Sequence, residues 1–127
     1  MRSSQEIIEY CQQHKVSLFE YALAYEQELT DKSREDIVMQ MKSYWEIMKE
    51  SIDKGLHDLS RGEGRIIKRK AKDVYELATT QEAASGTRML KAVAYGLAVM
   101  EVNVTMGRIV AAPTAGASGI IPGGFLS

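Results

Sequence analysis

Three times in its first third the chain repeats one local signal, a serine followed three positions later by an acidic residue: Ser3 and Glu6, Ser17 and Glu20, Ser33 and Asp36. At that spacing the hydroxyl accepts a free N–H of a helix's first turn while the carboxylate can reach back to the serine's own N–H, so each pair predicts a helix start. Ile7, Ile8 and Cys11 extend the first helix to about His14. Leu18, Ala22, Tyr25 and Leu29 give the second an apolar edge, and Thr30-Asp31-Lys32 breaks it. Ile37, Met41, Tyr44, Met48 and Ile52, widened by Val38, Trp45 and Leu56, give the third a core-facing stripe. Met39, Met41 and Met48 on that helix also suit a partner surface.

Gly55 is expected to end or weaken the third helix, and Gly62-Glu63-Gly64 to break the chain. His57 has no second ligand-type residue at metal spacing and reads as solvated or structural. Arg65 to Lys72 carries five basic residues in eight positions. Ile67, Ala71, Val74 and Ala78 form an apolar edge opposite, which favours a solvated helix face; the sharper reading is an anion site or a contact to an acidic subunit, and nucleic acid is a weak third option for so short a cluster without aromatic residues. After a loop at Thr80–Gly86, residues from Met89 to Ala112 are apolar on most sides, which predicts an interior helix running to Pro113. On it Ala94, Gly96 and Ala98 would let neighbours approach closely, and Glu101, Thr105 and Arg108 would form a polar stripe needing partners. With no convincing strand, the class is all-α, read as one helical domain over residues 1–127.

Sixteen basic and seventeen acidic residues leave a net charge of -1, so no global field favours nucleic acid or an anionic membrane, and no run reaches the roughly eighteen apolar residues of a membrane span. Without the apolar core of a signal peptide at Met1–Glu6, a cytoplasmic protein is expected. The single cysteine, Cys11, is expected in the core and cannot by itself make a disulfide or a multi-thiolate metal site.

The segment after Pro113 is small and backbone-rich. Gly116-Ala117-Ser118-Gly119 lacks the following Lys-Ser/Thr of a phosphate-binding loop, and Ser118 has neither a Gly-x-Ser-x-Gly setting nor a downstream histidine. Two readings follow: a cradle whose N–H groups and the Thr114 and Ser118 hydroxyls bind a small anion, or a tight turn packed on a neighbour. The apolar end, Ile120 to Leu126, suggests a piece of a larger assembly.

From Glu101 to Gly123 the sequence resembles bacterial iron–sulfur L-serine dehydratases, with Glu-x-Asn-x-x-x-Gly at Glu101, Asn103 and Gly107, Ala-Pro-Thr-Ala-Gly at 112–116 and Gly-Ile-Ile-Pro at 119–122. Arg65–Ala71 and Glu26-Gln27-Glu28 with Thr30 are more loosely similar to segments of the same α chains. The resemblance implies an N-terminal part of an α chain that converts L-serine to pyruvate and ammonia, with a [4Fe–4S] cluster acting as Lewis acid in the complete enzyme. It implies that Thr114, Ala115, Gly116, Ala117, Ser118 and Gly119 line the cluster and substrate pocket, supported by Glu101 and Asn103. It assigns no general base. The cluster cysteines are expected on sequence beyond this chain, so no metal or cluster is expected in the chain alone, which should be inactive without the rest of the α chain and a β chain. Self-association is left open. The alternative from a different class is a non-catalytic helical interaction module.

Overall fold

The computed structural model describes residues 3–57, 70–80, 84–112 and 114–127. The expected breaker at Gly62–Gly64, the basic residues 65–69 and Pro113 lie outside them. The described chain is all-α: α1 (Ser4–His14), α2 (Leu18–Thr30), α3 (Arg34–His57), α4 (Ala71–Thr80), α5 (Thr87–Val104), a 3₁₀ turn at Ala115–Ala117, and α6 (Ile120–Leu126). It divides into two compact units, Met1–Ser43 and Tyr44–Ser127, with the boundary inside α3.

In the first unit the serine caps form as the spacing predicts. At α1 the box closes in both directions, Glu6 N–H donating to Ser3 Oγ at 3.3 Å and Ser3 N–H to Glu6 Oε2 at 2.7 Å. At α2 only half of it forms. Ser17 Oγ accepts from Glu20 N–H, while the Glu20 carboxylate turns to Arg34 in a bidentate pair at 2.6 and 2.7 Å. Those hydrogen bonds hold the Glu20 carboxyl below the usual carboxylate range. Lys15 and Asp31 close α1 and α2 in the left-handed conformation, at φ 53° and 55°.

Helical periodicity selects a face but does not guarantee a neighbour to cover it, and three expectations change accordingly. On α2 Leu18 and Leu29 are exposed, whereas Tyr21 and Leu23 are buried, Tyr21 edge-on to Tyr10 with ring centroids 5.3 Å apart. On α3 Ile37, Met48, Ile52 and Leu56 are buried, but Met41 and Tyr44 interrupt the stripe at 62% and 40% exposure. Cys11 is half-buried, because α1 buries no residue fully.

The second unit is centred on α5, which packs against both α4 and α6. Its core joins Ile52 and Leu56 of α3, Ala71 of α4, and Ala98 and Val99 of α5, with Tyr75, Tyr95, Leu97, Ile109 and Leu126 packed around them. Burial pushes the Tyr95 phenol up, helped by the charge and hydrogen bonding of the Tyr75 phenol, whose ring stacks on it at 5.8 Å. Trp45 meets Phe125 edge-on at 6.4 Å.

Gly55 does not end α3. It is buried two residues before the helix finishes, and a Cβ there would fall on the backbone carbonyl of Ala98. The glycine lets α3 and α5 touch main chain to main chain. Gly55→Ala should therefore lower unfolding free energy by about 1–3 kcal/mol, the usual range for an overpacked core, despite alanine's better helix propensity. Gly124→Ala, where a Cβ meets nothing within 4 Å, should be neutral or stabilising. Urea unfolding of the two variants checks this, and a stabilised Gly55→Ala would rule out the close crossing.

Candidate functional site

The expected site begins where α5 ends, which is earlier than its apolar run suggests. Val104 is the last helical residue and Thr105 the cap. Gly107 N–H donates to Val102 O at 2.8 Å and Met106 N–H to Asn103 O at 3.0 Å, the paired bonds of a Schellman stop. The left-handed position, usually glycine, is Met106 at φ 59°, 93% exposed. Gly107 follows because a Cβ there would fall on Val102. β-Branched Val102, Val104 and Thr105 weaken the last turn, so the helix closes at this glycine rather than at Pro113. The expected stripe of Glu101, Thr105 and Arg108 is consequently not a helix face. Thr105 Oγ1 donates to Val102 O at 2.9 Å, and Arg108 lies beyond the helix and is exposed.

Residues 107–112 carry the chain, without regular structure, toward the turn at Ala115–Ala117. Thr114 caps that turn, its Oγ1 accepting from Ala117 N–H at 3.2 Å. The Ala115 carbonyl is the turn's anchor. It accepts from Ser118 Oγ at 2.7 Å, Ser118 N–H at 3.3 Å and Asn103 Nδ2 at 3.5 Å. The N–H groups of Ala117 and Ser118 are thus used inside the turn, while those of Ala115 and Gly116, the first two, have no acceptor within it.

The six loop residues separate into an outer and an inner set. Thr114, Ala115 and Gly116 are exposed and Ala117 is half-buried, whereas Ser118 is 1% exposed and Gly119 is buried. With its hydroxyl spent on Ala115, Ser118 holds the loop from within. A Cβ on Gly119 would lie 2.6 Å from the Gly96 carbonyl of α5, and one on Gly123 2.8 Å from that of Ala92. These contacts seat the start of α6 on α5. Beside them an apolar groove of about 430 Å³ is lined by residues including Gly96, Met100, Gly116, Gly119 and Ile120.

Glu101 and Asn103 sit two positions apart on α5 and so face different ways. Asn103 reaches the loop. Glu101 instead caps α4, its Oε1 accepting the N–H groups of Lys70 at 2.6 Å and Ala71 at 3.0 Å, while Oε2 is buried without a hydrogen-bond partner among the described residues. A carboxylate suits a helix N-terminus, where unpaired N–H groups and the helix dipole favour negative charge. His57 pairs with Asp53 on its own helix at 3.0 Å. Among the described residues no three His, Cys, Asp or Glu side chains are grouped to hold a metal ion. No helix among them is long and apolar enough to cross a membrane.

Residues 13–127 match the family described as serine dehydratase alpha chain, and this range takes in the whole loop and groove. The chain belongs to that family. It is 33% identical to a probable L-serine dehydratase alpha chain of Bacillus subtilis, over 96% of this chain and 40% of the relative. It is also 33% identical to the L-serine dehydratase alpha chain of Peptoniphilus asaccharolyticus, over 96% of this chain and 42% of the relative. With L-serine dehydratase 2 of Escherichia coli the identity is 31%, over 94% of this chain and 27% of the relative. The chain thus spans about two fifths of the length of its alpha-chain relatives. No solved structure gives a significant match.

Sequence reading missed the groove, although the small residues around Gly96 were its visible trace. It also gave Glu101 to the loop, since a motif records spacing and not direction. Glu101→Ala should cost about 1–2 kcal/mol, the usual loss of a helix cap, and Glu101→Gln less because it keeps an acceptor. Amide exchange at Lys70 and Ala71 should accelerate in both; unchanged protection would show that Glu101 does not hold α4.

Proposed function

We propose that this chain supplies the loop side of the substrate site in an iron–sulfur L-serine dehydratase, which eliminates water from L-serine and releases pyruvate and ammonia. The observation that carries the reading is the Thr114–Gly119 turn inside the family-matched region, held by three donors on the Ala115 carbonyl and presenting the Ala115 and Gly116 edge outward. In this reading those two N–H groups and the Thr114 hydroxyl bind and orient the carboxylate of serine. Asn103 and Ser118 keep the turn in that shape, so little ordering remains to be done on binding. Glycine at 116 leaves room for the substrate to approach the main chain.

A [4Fe–4S] cluster does not fit these 127 residues as its ligands, since even with one iron left free of thiolate it takes about three, and the chain has only Cys11. The cluster of the proposed enzyme is therefore held by cysteines outside this sequence. The active form needs the rest of the α chain and a β chain, and we place it in the cytoplasm. Exposed Phe19, Leu29, Met39 and Met41 favour a second reading, a non-catalytic helical interaction module.

The test is anaerobic assembly of this chain with the remainder of an α chain and a β chain, followed by pyruvate assay. Serine-dependent pyruvate is expected; its absence from an assembly with an intact cluster would leave the interaction module. Gly116→Val should cut turnover at least tenfold with helix content unchanged, because among the described residues a Cβ there meets only Thr114 Oγ1, at 3.8 Å. Unaltered turnover would remove the loop from the site.

A further inference from the structure

We propose that the groove between α5 and α6 is the seat of an apolar segment from the portion of the serine dehydratase α chain that lies outside the matched region. The proposal rests on the reading above that this chain acts within a larger α chain, and adds where that remainder docks.

The glycines make the first part of the case. Gly119 and Gly123 are explained by the fold, since a Cβ on either would strike α5 main chain. Gly124 is not. A Cβ there meets nothing within 4 Å among the described residues, yet Gly124 lines the groove. Gly124 lies in a seven-residue helix, where an unneeded glycine is destabilising relative to alanine. A second backbone approaching from outside would use the space that Gly124 leaves open.

The second part is the surface itself. α5 buries Ala94, Ala98, Val99 and Val102 but leaves Val93 at 44% exposure, and across the groove Ile120 is 72% exposed. The lining is almost wholly apolar, so burying it on another apolar segment is favourable. The occupant follows from length. The match covers only 40% and 42% of the two alpha-chain relatives, so well over half of each polypeptide lies outside it. A segment of the same polypeptide meets the groove at a millimolar-scale effective concentration, which a second copy of the chain does not reach in dilute solution.

Cysteine protection tests this. Val93→Cys, Ile120→Cys and Gly124→Cys, with Met39→Cys as control and Cys11 replaced by serine, are made in this chain alone and in a chimera that carries it in place of the matched region of the Bacillus subtilis α chain. Maleimide should label the three groove positions at least tenfold more slowly in the chimera, with Met39→Cys labelled equally in both. Equal groove labelling overturns the proposal. So does protection in the isolated chain that grows with concentration, which would make the occupant a second copy. As a second measurement, Gly124→Leu and Val93→Glu should not lower the melting temperature of the isolated chain and should lower that of the chimera; an equal effect in both would again overturn it. Pyruvate formation by the chimera with its β chain is read separately. Protection without turnover would reject the proposed chemistry and keep the docking, and turnover without protection the reverse.

Discussion

The second unit depends on helices meeting at glycine without intervening side chains. At Gly55 and Ala98, at Gly96 and Gly119, and at Ala92 and Gly123, main chain approaches main chain more closely than a Cβ would allow. The three contacts are spread along α5 and hold α3 and α6 against it. Interiors are packed densely enough that one added methyl group is felt, so these glycines fix the spacing of the unit more firmly than its larger apolar residues do.

The loop inherits its position from this arrangement. Gly119, the last residue of the loop, is also the residue that touches Gly96, and Asn103 reaches Ala115 from the same helix. A rigid helix therefore holds both ends of a short backbone-rich turn, leaving the outer edge at Ala115 and Gly116 available. The proposed binding of serine would draw on this positioning, because a hydrogen-bonding edge that is already ordered loses little entropy on binding. Glu101 works from the opposite side of α5 and ties α4 into the same frame.

The family likeness of the candidate site was legible because it is local. The run from Glu101 to Gly123 carries the family likeness in consecutive residues, and the match over residues 13–127 bears out the family. Roles that depend on direction were not legible. Spacing placed Glu101 and Asn103 together, but two positions on a helix point to different neighbours. Ser118 read as an offered hydroxyl, and it is instead buried and bonded to Ala115, since the turn folds back on itself. The groove had no motif at all, being made of residues remarkable only for what they lack.

By itself the sequence determined that the described chain is helical, where α1, α2 and α3 begin, and which family the chain belongs to. Serine caps and turn residues act within a few positions of themselves, so their outcome needs no distant partner. Only the tertiary structure decided that α3 continues through Gly55, that Leu18 and Met41 stay exposed while Tyr21 and Met48 are buried, and which loop glycines the fold consumes. Burial and close approach are set by whatever lies opposite, and in this chain those partners are many residues away in sequence, as Gly55 is from Ala98 and Ala92 from Gly123.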